Sequence, residues 1–354
     1  MPGNSTKQAY MRAFNAAAAQ KSALIGAFDH MNKPNNEYDY NNYSHISTDY
    51  GVTPAIYHTY YPYSNGSIQT AEANKRIIEH YKEGALCMVF VSNNWANDFI
   101  IAKYGTLDAY DALNKKQFIV NFDRDYSGSD KIDSIYEVYL SYRAQWADAL
   151  KQLKDAGVTV IFRPFVEMTN PLHRDCYTNT AQGYESFKNV WVQLHDYMEN
   201  ERGLDNIIWC FAPQAAGGSA NGMKFYPGDS YVDIIGLTLY SKGNEDNSYN
   251  IKNELARWDY SGYYNLGKPV GFSELGVKPQ VSSTDNTITE QGDFSTLLYH
   301  LKNTADIGGN KFADHISFCS LWTEEYGLFG DNIGCEDFIN DDFFIDLQEL
   351  KSLQ

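Results

Sequence analysis

The chain lacks most of the features that would assign it to a large enzyme class at once. No uninterrupted run of about 18 apolar residues occurs, which excludes a helical membrane span. Basic residues are few: 28 Lys and Arg stand against 45 Asp and Glu, a net charge of −17. That balance argues against nucleic acid and anionic lipid as partners, and suits a neutral or cationic substrate. Only five cysteines are present, with no CxxC and no metal-ligand spacing. Cys87, Cys210 and Cys319 fall in apolar runs and read as small buried thiols, whereas Cys176 and Cys335 lie in loop-like contexts where pairing stays open. There is no His-x-His pair, no G-x-S-x-G elbow and no lysine at the end of a strand-like run. No Pro/Ser-rich linker or charge block divides the chain. The start, Met1-Pro-Gly3, carries no signal peptide and reads as one that replaces a removed leader.

What is abundant is aromatic: 28 Tyr, 19 Phe and 6 Trp in 354 residues. Such rings stack on sugar faces, and they also fill cores. Hydrophobic content of 43% is enough for a sizeable core. Residues 1–22 read as a helical lead-in, with a helix over Thr6–Lys21. From residue 23 to 354, strand-like runs alternate with helical periodicity. The runs are Ala23–Asp29, Thr53–Tyr60, Ala85–Ser92, Val158–Arg163, Asn206–Ala212, Val232–Leu239, Pro269–Glu274 and His315–Trp322. Between them Asp133–Asp155 is the clearest helix. Its Ile135, Val138, Tyr139, Tyr142, Trp146, Ala149, Leu150 and Leu153 form one buried stripe, and Gly157 ends it. Further helices are expected over Gln69–Glu83, Tyr184–Glu201, Ile251–Trp258, Phe294–Ala305 and Leu347–Leu353. Phe99–Asp130 reads as a long loop over one barrel face, holding a short helix candidate and a candidate stray strand at Phe118–Phe122. Eight strands alternating with helices predict a single (β/α)8 barrel with decorated βα loops. An open doubly wound sheet would want a Gly-rich phosphate turn after the first strand, and Gly26-Ala-Phe-Asp29 offers none.

Barrel chemistry sits at the C-terminal strand ends. Those ends carry Asp29 and His30, Tyr57 to Tyr61, Asn93 to Trp95, Arg163 and Glu167, Pro213 and Gln214, Tyr240, Glu274, and Trp322 with Glu324 and Glu325. Carboxylates, amides and aromatics dominate, and no metal or cofactor is called for. A glutamate where a buried strand empties into a loop is costly without partners. Two of them, Glu167 and Glu274, invite glycoside hydrolysis, one protonating the departing oxygen and the other attacking carbon or activating water. Plainer readings stand beside this one. Glu167 could pair with Arg163, Glu274 could cap a helix, and Tyr240 and Trp322 could be core. His30 and His58 suit sugar hydroxyls or structural roles equally. Trp209 reads as core, whereas Trp95, after two asparagines, is expected to face ligand.

The segment Arg163-Pro-x-x-Glu167-Met168 resembles the acid/base segment of glycoside hydrolase family 26. Asn206-Ile-Ile-Trp209, Tyr226-Pro-Gly-Asp229-x-Tyr-Val-Asp233-x-x-Gly236, Lys268-Pro269 and Ser273-Glu274-x-Gly276 follow in that family's order. The resemblance implies a retaining barrel hydrolase of β-linked polysaccharides, most commonly β-1,4-mannan, with β-1,3-xylan and mixed-link β-glucan as minority substrates. It implies Glu167 as acid/base, Glu274 as nucleophile, Tyr240 as the nucleophile's hydrogen-bond partner, and Trp322 as the floor beneath the reacting sugar. Arg163 would help keep Glu274 ionised, so Glu274 should lie nearer to Arg163 or to hydrogen-bond donors than Glu167 does. His30 and Trp95 complete the expected substrate contacts. The chain departs from the pattern at Val166, where the family's mannanases place histidine, at Thr238, where they place an acid, and at Thr169–Arg174, which replaces an aromatic run. These positions are expected to touch sugar. A non-catalytic carbohydrate-binding barrel is the competing class. The protein is expected to be monomeric, secreted or at the surface of a bacterial cell.

Overall fold

The computed structural model describes residues 2–30, 42–64, 66–91, 95–112, 118–242, 251–281, 288–323, 326–328 and 332–353. Asn93, Asn94, Glu324 and Glu325, all named above as strand-end candidates, lie outside them.

Eight strands form one parallel cylinder: β1 Ala23–Phe28, β2 Ile56–Tyr61, β3 Leu86–Val91, β4 Val160–Arg163, β5 Ile207–Phe211, β6 Ile234–Lys242, β7 Val270–Lys278 and β8 Ile316–Leu321. Each pairs with the next, and β8 closes on β1 with Leu24 opposite Phe318 and Ala27 opposite Leu321. Consecutive residues within a strand are buried on both faces, as parallel strands under a helical shell require. Residues Phe344–Ile345 add a short parallel pairing outside β1.

The helix over Asp133–Asp155 forms as its stripe predicts, with Ile135, Tyr139, Tyr142, Trp146, Leu150 and Leu153 buried. Burying each large apolar side chain contributes about 1.5–3 kcal/mol, and Trp146→Ala would remove the largest share. The lead-in helix, Pro2–Ala19, packs against the barrel. Tyr10 there donates to the Thr159 carbonyl at 2.8 Å and accepts from the Cys87 amide at 2.9 Å, tying the starts of β3 and β4.

Two expectations are corrected. Phe99–Asp130 is largely helical where described, with helices Trp95–Tyr104 and Leu107–Ala112. Phe118–Asn121 is a buried 3-10 turn rather than a strand, because Asn121 folds its side-chain amide back onto the Phe118 carbonyl at 2.8 Å. All five cysteines are free and buried, so Cys176 and Cys335 do not pair.

Candidate active site

β4 stops at Arg163 because Pro164 has no N–H to donate. The chain rejoins the sheet for one bridge, Val166 beside Ala212, and the Glu167 amide donates to the Ala212 carbonyl at 2.8 Å. Glu167 itself adopts φ +50, a left-handed backbone that a side chain with Cβ enters at a cost. Three successive turns follow. Asn170 N–H bonds the Glu167 carbonyl, His173 N–H the Asn170 carbonyl, and Cys176 N–H the His173 carbonyl. This ladder of three-residue steps brings side chains 167, 170 and 173 together.

Glu274 is aimed by a different device. β6 pairs Leu237 with Phe272 and then Thr238 with Glu274, so Ser273 is an extra residue on β7. Its hydroxyl is absorbed by the Gly236 carbonyl at 2.7 Å. A Cβ on Gly236 would stand 2.7 Å from Ser273 Cβ, so the bulge needs glycine there. Bulges of this kind re-aim side chains next to active sites. Glu274 therefore projects from within a strand, not from a helix cap.

The two carboxylates are held separately yet close. Glu274 Oε1 accepts from Arg163 Nη2 at 2.7 Å, and Oε2 from the Tyr240 hydroxyl at 2.7 Å. Arg163 is fully buried, and its Nη1 meets His58 Nε2 at 3.0 Å while His58 Nδ1 faces Ser320 Oγ at 3.1 Å. Burial and the neighbouring guanidinium push His58 well below its usual range. It is a neutral acceptor that orients Arg163, which decides for its structural reading. Glu167 does not pair with Arg163. Its Oε1 accepts from the Thr238 hydroxyl at 2.6 Å, and its Oε2 from Asn170 Nδ2 at 2.7 Å, with His173 Nε2 at 3.1 Å. Thr238 links the pair, its backbone beside Glu274 and its hydroxyl on Glu167.

Glu274 touches Arg163 as expected, but the charge tuning runs opposite to expectation. Burial raises Glu274 above the usual carboxylate range; Arg163 opposes this, the Glu167 charge adds to it, and Tyr240 opposes it. Burial also acts to raise Glu167, yet the His173 hydrogen bond and charge, with Thr238 and Asn170, bring it down to about 2. The reason is His173, which no spacing rule singles out. A histidine six residues past a glutamate has no helical or strand partner signal, and only the turn ladder joins them. The bond from Asn170 to Glu167 had no sequence signal for the same cause. Thr238, and Asn170 and His173 of the 169–174 segment, hold the Glu167 carboxylate.

The remaining candidates separate. Trp322 stacks on Phe28 with centroids 4.2 Å apart and planes at 14°, edge-on to Tyr240, and is partly exposed. His30 is half-buried between Phe28 and Tyr60. Tyr60 and Phe90 stack at 5.5 Å and are also partly exposed, extending an aromatic wall along β1, β2, β3 and β8. Trp95 does not join it. It is fully buried, packed between Phe122 and Tyr142, because it opens a helix whose first turn faces inward. Trp209 is core, its indole N–H on Glu199. Several motif residues lie away from the carboxylates: Asn206 bonds the Val158 carbonyl, Asp233 the Trp209 amide, and Lys268 the Asp229 carbonyl. They fix strand starts. Among the described residues no cluster of His, Cys, Asp and Glu is grouped to hold a metal.

A family model described as "Glycosyl hydrolase family 26" matches residues 2–259. A mannan endo-1,4-beta-mannosidase of Bacillus subtilis is 30% identical over 252 residues, 66% of this chain and 61% of that relative. The chain thus spans less than two thirds of that protein's length. Among solved structures, a Bacillus subtilis mannanase superposes with a TM-score of 0.66 at 21% identity, over 96% of this chain and 92% of the other. An endo-beta-1,4-mannanase from Cellulomonas fimi gives 0.67 at 15% identity, over 96% and 76%. These structural likenesses speak for the barrel.

Proposed function

The chain belongs to glycosyl hydrolase family 26, and from that premise we propose that it hydrolyses a β-linked polysaccharide internally with retention, β-1,4-mannan or glucomannan first among substrates. The observation that carries this reading is the convergence of Arg163 and Tyr240 on Glu274, with Thr238 from the strand between reaching Glu167. In the first step Glu274 attacks the anomeric carbon while Glu167 protonates the departing oxygen. In the second, Glu167 takes a proton from water as the covalent intermediate is hydrolysed. Arg163 and the Tyr240 hydroxyl hold the attacking carboxylate in one orientation, which supports in-line displacement. Trp322, held flat by Phe28, suits the face of the reacting sugar, and His30, Tyr60 and Phe90 suit its neighbours. This chemistry needs no cofactor. A polymeric substrate that crosses no membrane fits a secreted or surface-held bacterial protein working as a monomer.

Curated relatives named for mannan favour that polymer over β-1,3-xylan and mixed-link glucan. The test is release of reducing ends from a panel of all of these, with the first-formed anomer followed by proton NMR. Retention from mannan is expected, and Glu274→Ala should lose at least a thousandfold in rate. Inversion would remove the nucleophile role. Binding without release, unchanged by that substitution, would favour a carbohydrate-binding barrel.

A further inference from the structure

Glu167 as observed is poorly suited to giving up a proton. Three donors hold its carboxyl well below the usual carboxylate range, so at pH 6 it is ionised. Yet the proposed first step needs a proton at that place. The nearest one is on His173, whose Nε2 stands 3.1 Å from Glu167 Oε2.

Everything charged that faces His173 holds the imidazole in its cationic form. Burial opposes this, but the Glu167 bond and charge outweigh it, with Asp175 on its own loop and Glu274 on β7 adding to it, and His173 is raised above its ordinary value. The nearby cations are committed elsewhere. Arg174 forms a forked pair with Asp111, and Arg163 is bound to Glu274 and His58. Of the other titratable groups around the pair, the Tyr240 phenol and the buried Cys176 thiol are both shifted upward and remain neutral. The turn ladder fixes the imidazole in place, and Asn170 on the same oxygen keeps Oε2 turned toward it.

Resting on the hydrolase reading above, we propose that His173 is a positioning residue that stores the acid's proton, so that Glu167 and His173 carry one proton between them at the start and end of each cycle and none in the covalent intermediate. Before reaction that proton lies on Nε2. When a sugar covers the site and excludes water, the separated charges are less well solvated and the neutral pair gains. The proton passes from Nε2 to Oε2, leaving neutral imidazole. Glu167 then delivers it to the departing oxygen as the carbon–oxygen bond breaks and Glu274 bonds to carbon. In the second step water loses a proton to Glu167 as its oxygen bonds to carbon and Glu274 leaves. Return of that proton to Nε2 restores the starting pair. The net change is one glycoside and one water to one hemiacetal and one alcohol.

The test is the pH profile of kcat/KM for wild type and His173→Gln, whose amide can still donate to Glu167. Wild-type turnover of mannan is measured first, since its absence would overturn the hydrolase reading and this proposal with it. Given that activity, the wild-type alkaline limb is expected above pH 6.5, where the pair loses its shared proton. In the variant it should move acidward by more than one unit, with about tenfold or greater loss at pH 7. A dinitrophenyl glycoside needs no proton on its leaving group, so its release should change less than about threefold. Coincident pH limbs, or equal losses on both substrates, would overturn the proposal while leaving the hydrolase intact. Should the variant fail to fold, NMR titration of the His173 imidazole decides. Its midpoint should exceed 6.5 in wild type and fall in Glu167→Gln, and an unmoved midpoint would refute the pairing.

Discussion

Replacing Arg163 by methionine removes a guanidinium that is fully buried and bound to a Glu274 side chain only 7% exposed. Breaking such a pair from one side costs about 3–5 kcal/mol, because the other charge stays buried without its partner. For 354 residues the entropy of unfolding is roughly 0.7 kcal/mol per degree at 2.1 cal/mol/K per residue. The loss should therefore appear as a fall in Tm of about 4–7 °C at pH 8. The pH dependence has a definite sign. Without Arg163, burial and the Glu167 charge raise the folded-state value of Glu274 further above its unfolded one. A raised carboxyl contributes stability below its unfolded value and loses it as pH climbs through the folded value. Hence the gap between wild type and variant should narrow at pH 5, where Glu274 can protonate. In a Glu274→Gln background it is the buried Arg163 guanidinium that lacks its counter-charge. There the same replacement removes that stranded charge and should leave Tm unchanged or raise it. Circular dichroism melts of the four proteins at both pH values form the assay. An equal loss in both backgrounds and at both pH values would mean that Arg163 acts through His58 or through packing, and the charge argument would fall.

Tyr240→Phe keeps the ring against Tyr326 but removes one of the two donors to Glu274. The acidic limb of kcat/KM should move up by about one pH unit with a roughly 10–100-fold loss in rate, and a superimposable profile would count against the nucleophile role. Trp322→Ala should raise KM on mannan about tenfold. Trp95→Phe should leave KM unchanged and lower Tm, the opposite pattern from a ligand-facing ring. Gly276→Ala would put a Cβ 2.6 Å from Tyr326 Cβ and 2.7 Å from its carbonyl oxygen. A destabilisation of about 1–3 kcal/mol is expected by denaturant titration, with Tyr326 displaced from Tyr240.

Much of the frame was legible because its signals are periodic. The Asp133–Asp155 stripe repeats with the turn of a helix, and the strand runs are apolar on both faces, so local pattern and tertiary burial agree. Arg163, Tyr240 and Glu274 were legible because polar groups interrupt those runs abruptly. What escaped had no period to betray it. Asn170 and His173 reach Glu167 only through a loop whose first residue has a left-handed backbone. Trp95 misled because the two asparagines before it suggest solvent, whereas the ring turns inward onto Phe122 and Tyr142. The bulge at Ser273, which aims Glu274, shows in the sequence only as a serine between Phe272 and the glutamate itself. Its cause, the missing side chain of Gly236, lies on another strand.

The backbone at position 167 sets two demands on one codon against each other. Glycine would occupy that left-handed well without the penalty of about 1–2 kcal/mol borne by other residues. A library screened for heat tolerance alone should therefore drift toward glycine or asparagine at 167 and shed its chemistry as it hardens. One screened for sugar release should keep glutamate there and gather its stabilising changes elsewhere in the barrel.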